Sequence, residues 1–289
     1  MRFGVGLPVE VPGLTETQLF DWAKRTEAGP FDTIAIVDEI VSPSLESLTT
    51  LAAVAALTTR VRLMTFVIGS PARNTALLAK QAATIDVLSG GRLSLGLGVG
   101  ELVDDFAVSG VDMRGRGERF DQQLTELRQI WNGEPVGETG RALGPMPVQP
   151  GGPELLLGGW APRALRRIGR FADGYAGAVL SEELLTDEHY QIALKSWQDE
   201  GREGRPRHVQ AIYFALGEQS DAQREEYLRS AYAGSPDYDL QAMAAMIPTS
   251  EADVRRMIDR IEELGADELL FHPLSADVDQ ISRLEQALP

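Results

Sequence analysis

Short apolar runs alternate with longer segments of helical period along almost the whole chain. Residues 2–7 read as a strand, and Thr15 then opens a helix with a capping box, Thr15-x-x-Gln18, that places Leu19 and Trp22 on one face. A strand over 33–37 precedes a helix over 44–57. A strand over 61–67 precedes a helix over 74–88, with Leu78, Ala82 and Ile85 at i, i+4 and i+7. The strand at 93–99 is followed by a helix aligning Phe120, Leu124, Leu127 and Trp131. The second half continues with a strand at 154–157 and a helix that starts near Pro162 and carries Leu165, Ile168 and Phe171. Next come a strand at 174–179, a helical stretch over 183–200 and a strand at 209–216. The stripe Val254, Met257, Ile258, Ile261 and Leu264 marks an amphipathic helix, before a last strand at 268–271 and a last helix at 277–288. The strands are continuously apolar, as strands covered on both faces must be.

Eight strand-then-helix units in 289 residues fit an α/β fold of the (β/α)₈ (TIM) barrel type, roughly 250 residues in its plain form. The chain reads as a single barrel domain over 1–289 with short inserted segments. Residues 133–153, rich in Gly and Pro, read as a mobile loop. Residues 217–250 read as an inserted cap containing a helix and a Pro/Gly/Asp-rich turn.

Charge narrows the partners. Lys and Arg number 27 against 43 Asp and Glu, a formal charge of −16, which repels nucleic acid and anionic lipid. A small molecule is therefore the expected partner, and neither nucleic acid nor a membrane is. The absence of cysteine excludes disulfides, thiol nucleophiles and cysteine-held metals. Pro8 and Glu10 come too early for a secretory signal, and the apolar stretch 51–57 falls far short of the roughly 18 residues of a membrane helix. A cytoplasmic location is expected.

In such a barrel the chemistry sits where the strands end at their C-terminal side. Gly96, Gly98 and Gly100 take alternate positions at the end of the fourth strand and face one way. Two readings stand: missing side chains admit a flat ring or a phosphate, or they relieve crowding in a tapering barrel. Gly158-Gly159-Trp160-Ala161-Pro162-Arg163 joins a strand to a helix, either a phosphate-binding helix start or an ordinary tight turn. Asp38, Glu39 and Glu101 are carboxylates at strand ends, suited to moving protons. His272 follows a strand and reads mainly as a hydrogen-bonded packing residue; His189 reads as a surface residue. No Gly-x-Ser-x-Gly elbow, Gly-Lys-Ser/Thr phosphate loop or His-x-x-Glu-His spacing is present, so hydrolase, nucleoside triphosphatase and metal-site readings lose support. Trp160, Tyr213, Phe214 and the 217–250 segment are candidates for shaping an apolar substrate pocket.

The run Ala79-Lys80-Gln81-Ala82-Ala83-Thr84-Ile85-Asp86-x-x-Ser89-Gly90-Gly91-Arg92-x-x-Leu95-Gly96-x-Gly98-x-Gly100 resembles the bacterial-luciferase-like superfamily of flavin- and deazaflavin-dependent oxidoreductases. Gly158-Gly159 with Pro162-Arg163-Ala164-Leu165, Ala172-Asp173-Gly174-Tyr175 and the opening Gly6-Leu7-Pro8 support the resemblance. It implies a (β/α)₈ barrel that binds FMN or coenzyme F420 at its mouth. The implied activity is that of a flavin-dependent monooxygenase or an F420-dependent reductase or dehydrogenase acting on a small organic substrate. The alternative is a non-catalytic flavin-binding barrel.

The resemblance also implies a non-prolyl cis peptide near Thr65-Phe66-Val67 that backs the ring, with Gly98, Gly100 and Glu101 flanking it. Gly158 and Gly159 would meet the phosphate beside Trp160, and Asp38 would belong to the same site. Asp38 and Glu101 are the implied proton-handling residues, no metal is implied, and a homodimer is expected. The deazaflavin-dependent sugar-phosphate and alcohol dehydrogenases of this superfamily carry Asp-His after the second strand, where this chain has Asp38-Glu39. The histidine that polarises the substrate hydroxyl in those enzymes is therefore absent.

Overall fold

Strands that are apolar on both faces must find backbone partners on both edges and cover on both sides. In the computed structural model, described for residues 1–138, 140–232 and 239–289, they do so by closing into a barrel. Its strands are β1 (Arg2–Gly6), β2 (Thr33–Ile36), β3 (Arg62–Thr65), β4 (Leu93–Gly98), β5 (Glu154–Gly158), β6 (Gly174–Ala178), β7 (Arg207–Phe214) and β8 (Glu268–Pro273). All pair in parallel with their sequence neighbours, and β8 returns to β1 with Arg2 opposite Glu268. This is a (β/α)₈ barrel.

The helices outside it are α1 (Glu16–Ala28), α2 (Ser47–Leu57), α3 (Thr75–Ser89), α4 (Val103–Val108), α5 (Arg116–Trp131), α6 (Pro162–Leu165) and α7 (Arg167–Phe171). They continue as α8 (Glu188–Asp199), α9 (Ser220–Tyr232), α10 (Leu240–Met246), α11 (Glu251–Glu263) and α12 (Asp279–Ala287). The capping box forms: the Thr15 hydroxyl accepts from the Gln18 N–H at 3.3 Å, and the Gln18 amide oxygen accepts from the Thr15 N–H at 3.0 Å.

Several boundaries move for local reasons. The helix expected from residue 44 begins at Ser47, because the Glu46 carboxylate accepts the Thr49 N–H at 2.7 Å and serves as its N-cap. The helix expected over 183–200 splits into a 3₁₀ turn, Glu182–Leu184, and α8, whose Glu188 N–H bonds the Thr186 hydroxyl. The third strand ends at Thr65. A cis peptide joins Phe66 to Val67, and Ile68–Gly69 then resumes pairing beside Leu97 and Gly98. The Pro/Gly-rich segment expected to be mobile carries a hairpin, Pro135–Val136 against Arg141–Ala142. It is anchored where the Asp86 carboxylate accepts the N–H groups of Val148 and Gln149 and the Gln149 side-chain amide.

Two further features frame the mouth. At the N-terminal end of the barrel, Arg207 bridges Glu154 and Glu268, and Glu154 also takes the Ser94 hydroxyl at 2.5 Å. Above this ionic floor the interior turns apolar, with Met64, Leu156, Val209 and Leu270 buried together. At the other end α9 and α10 form the expected insertion, where Tyr227, Leu228, Met243 and Ile247 pack on Ala215 and Leu274. The Pro/Gly/Asp-rich turn read between these helices lies outside the described residues.

Candidate active site at the barrel mouth

The chain leaves β2, β3, β4, β5 and β6 around a cavity of about 360 Å³, within the range of small-molecule and cofactor sites. Its wall is largely backbone and small side chains: Gly69, Gly98, Gly100, Gly158 and Gly159, with Ala72, Ala164, Ala176 and Ala178. Phe66, Val67, Val99, Phe106 and Trp160 add apolar surface. The cis peptide falls between Phe66 and Val67, where the resemblance places it.

The glycines act less directly than their spacing suggests. A methyl group on Gly96 would lie 2.0 Å from the Thr65 carbonyl oxygen, and one on Gly98 would lie 3.1 Å from a Val67 methyl. One on Gly158 would meet the same side chain at 3.0 Å. These positions therefore receive β3 and Val67, and Val67 in turn forms part of the cavity wall. Gly100 lies beyond the strand, at a positive φ of 74° that favours glycine, and closes against the Phe106 ring. Relief of crowding thus accounts for Gly96, whereas Gly98 and Gly100 do line the cavity.

Of the residues singled out from sequence, Asp38, Phe66, Val67, Gly98, Gly100, Glu101, Gly158, Gly159 and Trp160 converge on this one cavity. Thr65 does not line it. Its hydroxyl is buried between strands, donating to the Gly96 carbonyl and accepting the Gly96 N–H, both at 2.9 Å. Asp38 is engaged as well: Oδ1 takes the Arg73 guanidinium and the Ser47 hydroxyl, each at 2.6 Å, and the side chain is 4% exposed. Burial raises its proton affinity, and the Arg73 charge opposes that rise. Glu39 is pushed up by burial and by the neighbouring Asp105 and Asp38. Asp105 ties the loop after β2 to α4, accepting the N–H groups of Ile40 and Val41.

The helix after Gly159 is one turn long, Pro162–Leu165, so little dipole field is available for the expected phosphate contact. A cation stands elsewhere on the wall. Arg116, the first residue of α5, donates its Nε–H to the Gly100 carbonyl at 3.0 Å. The sequence reading missed Arg116 because no local motif marks it; only the fold brings α5 to the glycine turn.

A second, smaller cavity of about 230 Å³ shares Asp38, Phe66, Val67, Glu101, Trp160 and Ala178 with the first, and it is closed by Glu10, Tyr213, Leu180 and His272. Glu10 accepts the Tyr227 hydroxyl at 3.2 Å. Burial raises its pKa to about 7 against that hydrogen bond, with Glu39 adding to the rise. His272 is buried beside Phe66 and Tyr213, its Nε2 has no hydrogen-bond partner among the described residues, and burial lowers its pKa to about 4. Glu10 follows β1 and His272 belongs to β8, and the closure of the barrel that pairs these two strands brings both residues to one cavity.

Comparisons with known proteins bear on the fold and the family. A curated Mycobacterium tuberculosis protein of uncharacterized function is 30% identical over 194 residues, covering 64% of this chain and 68% of that one. Another from the same organism is 36% identical over 140 residues, covering 46% of this chain and 48% of the relative, so the chain aligns with about half of that relative's length. Among solved structures, a monooxygenase from Streptomyces bottropensis superposes with a TM-score of 0.80 at 22% identity, covering 100% of this chain and 98% of that one. An F420-dependent secondary alcohol dehydrogenase bound to an F420-acetone adduct superposes at 0.82 and 17% identity, with the same coverage. The FMN-bound oxygenating constituent of 3,6-diketocamphane monooxygenase from Pseudomonas putida gives 0.74 at 16%, covering 99% and 95%. These likenesses show the shared fold. The model of the luciferase-like monooxygenase family matches residues 1–270, and the chain belongs to that family.

Proposed function

We propose that this protein is an oxidoreductase that holds the ring of FMN or coenzyme F420 in the larger cavity and acts on a small organic substrate in the smaller one. The observation that carries this reading is the glycine- and alanine-walled cavity backed by Phe66 and Val67 at the strand ends. Backbone walls admit a flat ring closely, and the apolar faces of Val67, Val99 and Ala176 exclude water from it. When bound, the cofactor supplies the two-electron chemistry, as a hydride carrier or, in the flavin case, as an activator of oxygen. The chain binds and orients: Arg116 is placed to meet an anionic side chain, and Trp160, whose indole N–H bonds the Ala178 carbonyl at 3.3 Å, stands between the two cavities. Glu101, which lines both cavities, is the proposed proton carrier. Asp38, held by Arg73 and Ser47, positions the loop after β2 rather than exchanging protons itself.

Titrating the protein with FMN and with F420 while following ring absorbance tests this reading. Saturable binding of one of them, weakened by Gly98→Ala and by Arg116→Ala, supports it; binding of neither overturns it. Turnover with the bound cofactor then separates an enzyme from a barrel that only binds. We propose further that the protein pairs as a homodimer through α2 and α3. Leu77 and Leu88, eleven residues apart and so on one stripe of α3, are both 57% exposed, and Leu57, also exposed, ends α2, which packs on α3. Light scattering at micromolar concentration reads this directly, with Leu77→Glu/Leu88→Glu expected to give monomers.

A further inference from the structure

Building on that reading, we propose that the smaller cavity is a subsite for an uncharged substrate bearing a hydrogen-bonding oxygen, which lies against the Glu10 carboxyl and the His272 imidazole, and that Glu10 is the residue that turns anions away. The cavity's walls are apolar apart from a few groups. Phe66, Val67, Leu180, Ala211 and Ile212 offer no hydrogen bonds from their side chains, and the Trp160 indole N–H is already engaged by Ala178. The Tyr213 hydroxyl is committed to Tyr232 at 3.2 Å. His272 keeps one buried ring nitrogen without a partner, and a buried polar atom of that kind calls for a ligand or water. Glu10 accepts from Tyr227 through Oε2, and a protonated carboxyl has a further O–H to donate.

The charged surroundings point the same way. Glu10 faces Glu39 from the loop after β2, Tyr227 and Tyr232 from α9 and Tyr213 from β7, and it shares the cavity with His272, Asp38 and Glu101. Among the described residues no Lys or Arg lines this space. The nearby Arg73 is taken by Asp38 and Glu46. Carboxylate or phosphate groups would enter with no counter-charge. His272 is neutral above about pH 5, since its pKa lies near 4, and offers one donor and one acceptor nitrogen. Glu10 titrates near 7, so it donates to a ligand oxygen only below that pH.

The test uses acetophenone and benzoate, two probes of closely similar shape that differ in charge, with calorimetric binding measured on the whole protein with and without its cofactor. Acetophenone is expected to bind at pH 6 and about tenfold more weakly at pH 8, because the competent protonated fraction falls by that factor. Benzoate is expected to bind at least tenfold more weakly than acetophenone at pH 8. Glu10→Gln keeps a donor and the Tyr227 contact, so it should bind acetophenone with no pH dependence between 6 and 8. Glu10→Ala should bind it weakly at both pH values and narrow the gap to benzoate. The carboxyl carbon signal present in wild type and missing in Glu10→Gln should titrate near pH 7 and shift upward when acetophenone is added. Acetophenone affinity that is flat with pH in wild type, benzoate binding as tightly as acetophenone, or no binding of acetophenone at millimolar concentration would each overturn the assignment. Cofactor binding with failed probe selectivity removes this inference alone, whereas probe selectivity without cofactor binding removes the oxidoreductase reading.

Discussion

Replacing Gly96 and Gly98 separately by alanine distinguishes a glycine that lets two strands meet from one that shapes a binding surface. At Gly96 the added methyl would sit 2.0 Å from the Thr65 carbonyl oxygen and 3.1 Å from its carbon. That is about 1 Å closer than real side chains approach backbone, and the neighbour is a strand that cannot rotate away. Both Gly96 backbone groups also bond the Thr65 hydroxyl. Strain of about 1–3 kcal/mol and the weakening of two hydrogen bonds worth about 1 kcal/mol each give a loss of about 3–5 kcal/mol. For a chain of this length about 2 °C of melting temperature accompanies each kcal/mol, so Gly96→Ala should melt about 6–10 °C lower. At Gly98 the methyl meets only a Val67 methyl at 3.1 Å, the far end of a side chain. Its cost should stay below about 1 kcal/mol, but Val67 must then move along the cavity wall and ring binding should weaken. Urea unfolding, thermal scans and cofactor titration on both variants read the two effects independently. Wild-type melting for Gly96→Ala, or equal losses of stability at the two positions, would refute this division of roles.

Other consequences can be measured with equal directness. Arg73→Ala removes the partner of a carboxylate that is 4% exposed and should destabilise by about 3 kcal/mol, since an unpaired buried charge remains; combining it with Asp38→Asn should recover part of that loss in urea unfolding. Asp86→Ala frees three donors of the 148–149 segment, so limited proteolysis should cut within 133–153 much faster than in wild type while the barrel remains folded. Stability should also fall on acidification. His208 and His272 are lowered from 6.5 to about 4 by burial, so the unfolded chain binds more protons below pH 6.5, and their contribution is lost as pH drops from 6.5 through 4. Glu10, raised from 4.5 to about 7, opposes them over much of that range, leaving a net fall of about 1 kcal/mol per pH unit between about pH 6 and 4.5 from these three groups, and close to none at about pH 7. Urea midpoints at pH 5, 6 and 7 check the slope, and His272→Gln should flatten it.

The barrel was legible because its signals are local. Continuous apolar strands, the Thr15 capping box and the stripe on α11 are each set by a few adjacent residues, and each formed where the pattern placed it. The exceptions came where a side chain competed with the periodicity, as when the Glu46 carboxylate started α2 late or Thr186 divided a helix. The site was half legible. Gly98, Gly100, Gly158 and Glu101 stand in motif runs, but the role of Gly96 depends on a carbonyl 31 residues away in the chain. Arg116 and Glu10 reach the mouth only through tertiary packing, and Asp38 reads as a free acid until its partner Arg73 is seen across 35 residues. Periodicity carries no information about such pairings.

The cap formed by α9 and α10 arises from one connection in the chain, between β7 and α11, and it reaches the smaller cavity's Glu10 and Tyr213 through Tyr227 and Tyr232. The glycine wall and Arg116, by contrast, come from β3, β4, β5 and α5. Evolution can thus rewrite one stretch of sequence to change the smaller cavity while leaving the glycine-walled one untouched, and a designer can do the same by exchanging that stretch between relatives.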